Sequence, residues 1–162
     1  MFIAMRTLVY ATLFIGFLLI YLPPRVLARS GIQRPAVTGG SQVAGLIAAT
    51  LGVLIALWCV TTIVRIGKGT PAPFDPPRRL VMRGPYRLVR NPMYAGAALA
   101  LAGAALFYHS AALLAYCGVF LLVCYLLVVF YEEPTLRRSF GSEYEAYCHH
   151  VRRWWPHRRG AA

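Results

Sequence analysis

Acidic residues are scarce: five Asp and Glu stand against seventeen Lys and Arg in 162 residues, a formal net charge of +12. Several long runs lack charge of either sign. With 59% hydrophobic residues and a mean hydropathy of +0.57, the chain is too apolar for a water-soluble domain of this size and falls among integral membrane proteins. Cysteine is sparse too. The four, at 59, 117, 124 and 148, show no CxxC spacing and lie mostly in apolar segments, so nothing implies disulfides and they read as small core residues. His149 and His150 beside Cys148 do not make a metal site, because adjacent helical residues diverge by about 100°; they read as surface histidines. No aromatic-basic motif of a nucleic-acid reader is present. The arginines sit in the connections between apolar runs, which assigns the positive charge to a membrane surface and not to nucleic acid.

What is there is a series of apolar segments. Residues 8–22 form a first expected span, with Arg6 before it and Pro23-Pro24-Arg25 after it. Val26-Leu27-Ala28 offers a small residue at a signal-peptidase position, but the length of the apolar run favours a retained span. The topology downstream is the same either way. Residues 23–42 read as a loop, and 43–66 as a second span whose Gly45 and Gly52 would let a neighbouring helix approach closely. Residues 92–107 and 111–131 are the third and fourth spans, and the three-residue connection Tyr108-His109-Ser110 forces them into an antiparallel hairpin. Gly96, Ala100 and Gly103 form a smooth strip on the third helix, expected to receive the larger side chains of the fourth. The fold class is therefore all-α: a single membrane-embedded helical bundle of four spans.

The 65–90 connection is basic and proline-rich, with a turn at Asp75-Pro76-Pro77 and an apolar anchor at Leu80-Val81. Together with the tail it holds thirteen Lys and Arg against three in the first loop, so the positive-inside rule makes it cytoplasmic. A bacterial-type inner membrane is the expected location. The connection ends in GPYRLVRNPMYAG, residues 84–96, which reads as a helix start: Asn91 can cap, and Pro92 gives up an N–H that has no intrahelical partner. Such a start, beside Arg87 and Arg90, offers an anion site.

The hairpin carries this start to the same membrane face as Glu132 and Glu133. Carboxylates at the end of a membrane helix oppose its dipole and lie close to hydrocarbon, so they need partners; Arg90, Arg137 and Arg138 are the structural candidates for Glu133. After Pro134, Leu136, Phe140, Tyr144, Tyr147, Val151 and Trp154 or Trp155 recur at three- and four-residue steps. They form one face of an expected amphipathic interfacial helix, with Arg137, Arg138, Glu143, Glu145 and Arg152 opposite.

Three motifs, the GPYRLVRNPMYAG block, the EEPTLRRSFGSEYEAY run and Val151-Arg152-Arg153-Trp154-Trp155-Pro156, give the chain a resemblance over residues 80–156. The family it resembles is that of the isoprenylcysteine carboxyl methyltransferases and phospholipid methyltransferases, small integral-membrane enzymes. The resemblance implies S-adenosylmethionine as cofactor, bound at the cytoplasmic end of the hairpin. Tyr86, Asn91, Pro92, Met93 and Tyr94 would line its pocket, with Leu80 and Val81 from the preceding loop, Glu132 and Glu133 from the fourth helix, and Arg90 beside the helix start. The residue types suit that cofactor: a helix start and an arginine take a carboxylate, a glutamate accepts from ribose hydroxyls or an ammonium, and tyrosine faces tolerate a sulfonium. No catalytic base and no metal ligand is assigned. The implied partners are membrane lipids and a lipophilic or isoprenoid acceptor.

Two positions depart from the pattern. Val128 stands where the prenylcysteine enzymes carry an arginine for the substrate carboxylate, and Asn91 replaces the commoner histidine, keeping capping ability without a titratable group. Two other readings remain. One is a sterol-reductase-like enzyme using NADPH, from the similar R-x-P-x-Y block. The other is a non-enzymatic scaffold that binds anionic lipid through its arginines; the pair Glu132 and Glu133 argues against it, since an anion binder has no reason to hold carboxylates there.

Overall fold

The computed structural model describes residues 11–32, 39–67 and 78–156. Residues 8–10 of the expected first span, the Asp75-Pro76-Pro77 turn and the tail from His157 lie outside these ranges. Among the described residues the regular structure is helical. Helix α1 runs as a π-helical stretch Ala11–Tyr21 that continues as Leu22–Arg29. Helix α2 is Gly40–Thr62 with a π turn Ile63–Gly67, and α3 is Pro92–Tyr108 after a 3-10 turn Gly84–Arg87. Helix α4 comprises Ala111–Leu127, a π turn Val128–Glu132 and Glu133–Phe140, and α5 is Ser142–His150. Two helical stretches, Gly40–Gly67 and Ala111–His150, are long and apolar enough to cross a membrane; α3 is apolar but shorter.

Prolines do not end helices here as the sequence led us to expect. Pro23-Pro24 does not open a loop: the helix runs on to Arg29. Pro134 does not end α4 either, which continues to Phe140. In both places a π segment comes just before, Ala11–Tyr21 in one and Val128–Glu132 in the other. A proline lacks the N–H of the regular ladder and crowds the carbonyl four residues back. Widening the preceding turn relieves both problems without breaking the helix. The break falls at Gly141, whose φ of +50° turns the chain into α5. The expected interfacial helix is therefore two pieces, the first of them an extension of α4.

The α2–α3 contact is glycine against glycine. A methyl group on Gly52 would lie 2.4 Å from Ala100 N and 2.5 Å from Gly96 O, and one on Gly103 would lie 2.4 Å from Ala49 N and 2.6 Å from Gly45 O. No side chain fits at those distances, so the two backbones touch. The strip on α3 thus faces α2 and not, as expected, the large side chains of α4. Small residues on both helices permit a closer approach than small against large, and only α2 offers matching glycines. The other side of α3 meets α4 through Tyr94, Ala97, Ala98 and Leu101 against Cys117, Phe120, Cys124 and Val128, all buried. Helix α1 lies against α4, where Tyr116 Oη donates to the Leu18 carbonyl at 2.8 Å.

At the α3–α4 turn His109 adopts φ +48°, and Ser110 caps α4 by accepting from Leu113 N at 3.2 Å. The turn is two residues long, His109 and Ser110, since Tyr108 belongs to α3, and it holds the hairpin antiparallel, so Asn91 and Glu132 come to one end of the bundle.

Candidate functional site

The site is built where three separate stretches converge on the start of α3. The first is the 78–91 connection. Gly84, at φ +61°, turns the chain into the 3-10 segment against the end of α2; a methyl there would be 3.3 Å from Thr62 Oγ1 and 3.5 Å from Trp58 Nε1. That turn brings Tyr86 against Cys59 of α2, with which it shares a side-chain hydrogen bond. Burial first, and then the acidic groups Cys59, Tyr147 and Glu132, push the Tyr86 phenol well above its usual range, so it stays protonated. Val81 is buried beside this turn, and Leu80 packs against Tyr144, Tyr147 and Val151.

The second stretch is the end of the apolar part of α4. The Tyr94 hydroxyl donates to Glu132 Oε1, joining α3 to α4. Burial raises the Glu132 carboxyl above its usual range; the Tyr94 bond pulls it partly back, and the Glu133 charge pushes it further up. Glu133 has a different environment. Arg153 Nε and Nη2 donate to its two oxygens at 2.7 and 2.8 Å, and Arg90 Nη2 approaches Oε1 at 3.1 Å. Burial alone would raise this carboxyl, but the Arg153 hydrogen bonds and the Arg90 and Arg153 charges hold it below 4.5. Of the three expected partners, Arg90 is found. Arg137 instead pairs with Glu145 at 3.3 Å on the exposed surface.

The third stretch is 151–156, which α5 returns to the helix start. Arg90 N donates to the Arg152 carbonyl at 2.9 Å, and Asn91 N to the Arg153 carbonyl at 3.3 Å. The Asn91 side chain donates to that same carbonyl at 3.3 Å and makes no cap to α3. Its amide is drawn to the 151–156 segment, which sequence reasoning had not set beside it. Tyr147 Oη donates to the Tyr86 carbonyl at 2.7 Å, and Arg90 Nη1 donates to Cys148 Sγ. Trp154 packs onto the α3–α4 core.

The structure thus gathers Tyr86, Arg90, Asn91, Tyr94, Glu132 and Glu133 at one end of the bundle. Pro92 is buried in the first turn of α3, and Met93 is half-buried against the core. Leu80 stands further out, in the α5 cluster. Sequence reasoning missed Arg153 as the main partner of Glu133, although it is the arginine of the V-x-R-W-x-P motif. It also missed Cys59 and Tyr147 around Tyr86. Among the described residues no three His, Cys, Asp or Glu side chains gather as metal ligands would.

Chemically, the site offers buried acceptor and donor groups in an otherwise apolar setting. Glu132 accepts from Tyr94 with one oxygen and has lone pairs to spare. Arg90 Nε is buried without a hydrogen-bond partner among the described residues. Such groups are costly in isolation and fit a polar ligand. No curated protein and no solved structure gives a significant match. The family model described as phospholipid methyltransferase matches residues 41–143. This takes in α2 from its second residue, the 3-10 turn, all of α3 and α4 and the pair Glu132 and Glu133. Covering well over half of the 162 residues, the match shows that the chain belongs to the phospholipid methyltransferase family.

Proposed function

We propose that this protein is a membrane methyltransferase that transfers the methyl group of S-adenosylmethionine to a lipid or other amphipathic acceptor. The observation that carries the reading is the Tyr94–Glu132 hydrogen bond, which ties the NPMY helix start to the glutamate pair. The residues fit such a donor. Glu132 has acceptor capacity for an ammonium or ribose hydroxyls, the buried Arg90 Nε–H suits a carboxylate, and Tyr86 and Tyr94 present aromatic faces to a sulfonium. In this reading Asn91, Pro92 and Met93 form the wall at the start of α3, and Val81 is buried in the connection before it.

When bound, the donor supplies a carbon already activated for in-line displacement. The chain's own task is to align the acceptor, exclude water and hold the donor still. The apolar flanks of α3 and α4 exclude water, and the Tyr94–Glu132 bond fixes the carboxylate. A carboxylate acceptor is ionised at neutral pH and needs no base, whereas an ammonium must first lose a proton. Val128 is apolar and buried and offers no charge to an acceptor carboxylate, which favours acceptors other than a prenylcysteine carboxylate. In this reading the bundle crosses the membrane four times, with its basic end in the cytoplasm of a bacterial-type inner membrane. The acceptor enters sideways from the bilayer.

The test is calorimetric titration of the detergent-purified protein with S-adenosylmethionine, NADPH and anionic lipid, with Glu132→Gln alongside. Saturable donor binding that the variant loses supports the reading. Binding of NADPH instead moves the chain to a reductase, and binding of anionic lipid alone makes it a scaffold.

A further inference from the structure

Glu132 and Glu133 are adjacent in sequence but serve different walls. Consecutive helical positions point about 100° apart, and while Glu132 turns to α3, Glu133 turns to the 151–156 segment. Both Glu133 oxygens are engaged, Oε1 by Arg153 Nε and Arg90 Nη2 and Oε2 by Arg153 Nη2. Its side chain is only 8% exposed and that of Arg90 12%. A bidentate Arg–carboxylate fork fixes orientation as well as distance. The same segment is stitched to Arg90 and Asn91 by two backbone bonds and the Asn91 side chain.

We propose that Glu133 is a positioning residue, the hub of a clasp Arg90–Glu133–Arg153 that holds residues 151–156 across the start of α3 as one wall of the methyl-donor site. The proposal rests on the donor reading above. By pinning Arg90 and Asn91, the clasp sets the first turn of α3 and so the point at which Tyr94 meets Glu132. Both oxygens of Glu133 are already held by arginines, Oε1 twice and Oε2 once. Its contribution passes through the two arginines.

The test compares wild type, Glu133→Gln, Arg153→Gln, the double variant and Arg153→Lys, all in detergent. It reads amide hydrogen exchange over residues 88–93 and calorimetric binding of S-adenosylmethionine. Either single Gln variant should speed exchange of the Arg90 and Asn91 amides and weaken donor binding, each by about tenfold, while α2 and α4 stay protected. The double variant should be no worse than either single one, as for residues acting as a unit. Arg153→Lys should recover part of both losses, because it keeps the charge without the fork. The clasp is overturned if Glu133→Gln weakens donor binding with the Arg90 and Asn91 amides still protected, which would make Glu133 a ligand. It is equally overturned if the two single losses add in the double variant. Should Glu133→Gln fail to fold, Arg153→Gln, which leaves Glu133 paired with Arg90, and Arg153→Lys decide the matter by loss and rescue. If wild type binds no donor, the functional reading fails, and amide exchange alone decides whether the clasp exists.

Discussion

The hydroxyl of Tyr94 and the carboxylate of Glu132 meet across the α3–α4 hairpin, bringing together positions 38 residues apart. Every functional expectation for the chain turns on this contact. It joins the first turn of α3 to the end of the apolar stretch of α4 through polar side chains.

Removing either partner should separate binding from folding. Glu132→Gln keeps an oxygen that can accept from Tyr94, so the fold should persist, with the thermal transition in detergent moving by no more than a few degrees. The lost charge should weaken S-adenosylmethionine binding by about tenfold or more, the scale of one hydrogen bond to a charged group. Tyr94→Phe should give a smaller loss of affinity. Calorimetry and a thermal melt on the same preparations check both.

The glycine contact predicts a position-specific stability effect. Gly52→Ala places a methyl where Ala100 N and Gly96 O already stand, so α2 and α3 must separate, at a cost of about 1–3 kcal/mol. Gly118→Ala on α4 meets nothing within 4 Å and should be neutral or slightly stabilising through helix propensity. Melting the two variants side by side in one detergent tests the difference.

At Val128 the structure separates packing from specificity. By the family resemblance this residue stands at an arginine site made apolar, where truncation to Ala is expected to do little. Its side chain is in fact 1% exposed in the α3–α4 core, so Val128→Ala leaves a cavity and should cost about 1–3 kcal/mol of stability. Donor affinity measured well below the transition should be unchanged.

Acid should release the 151–156 segment late. The folded Glu133 carboxyl lies below its usual value of 4.5, so its stabilising contribution is fully present above that pH and is lost as pH falls through the lower, folded value. Exchange protection of the Arg90 and Asn91 amides should therefore hold from neutrality down to about pH 4.5 and fail only below it. Glu132 shifts the opposite way and favours the folded state as it takes up its proton, so it does not produce this loss. In Glu133→Gln the acid step should disappear.

The hairpin and its consequence were legible because so short a connection leaves two helices no choice but to return side by side. The second long apolar helix was legible because its apolar run is unbroken. The apolar face from Leu136 to Val151 also gathers, with Leu80 joining it, although a bend at Gly141 now divides it. What could not be read depends on what lies opposite. Gly96 and Gly103 announce a close contact, but a strip of small residues does not say which neighbour will use it. Pro23, Pro24 and Pro134 looked like helix ends because periodicity carries no sign of a π turn that accommodates them. Arg153 escaped pairing with Glu133 because the reversal between them is made by a single glycine, and charge patterning along a straight helix favours Arg137 instead. Asn91 looked like a cap because its side chain suits one, and the competing carbonyl of Arg153 comes from 62 residues away.

The bonds from Arg90 and Asn91 to the carbonyls of Arg152 and Arg153 also order events in time. Residues 90 and 91 leave the ribosome some sixty positions before the carbonyls that satisfy them, and contacts of such long range form late. During synthesis α2, α3 and α4 can assemble first through the glycine seam and the Tyr94–Glu132 contact, while the amides at the head of α3 wait. The site is therefore completed after the helices that frame it, and a released chain truncated before residue 152 would lack the carbonyls that satisfy the amides of Arg90 and Asn91.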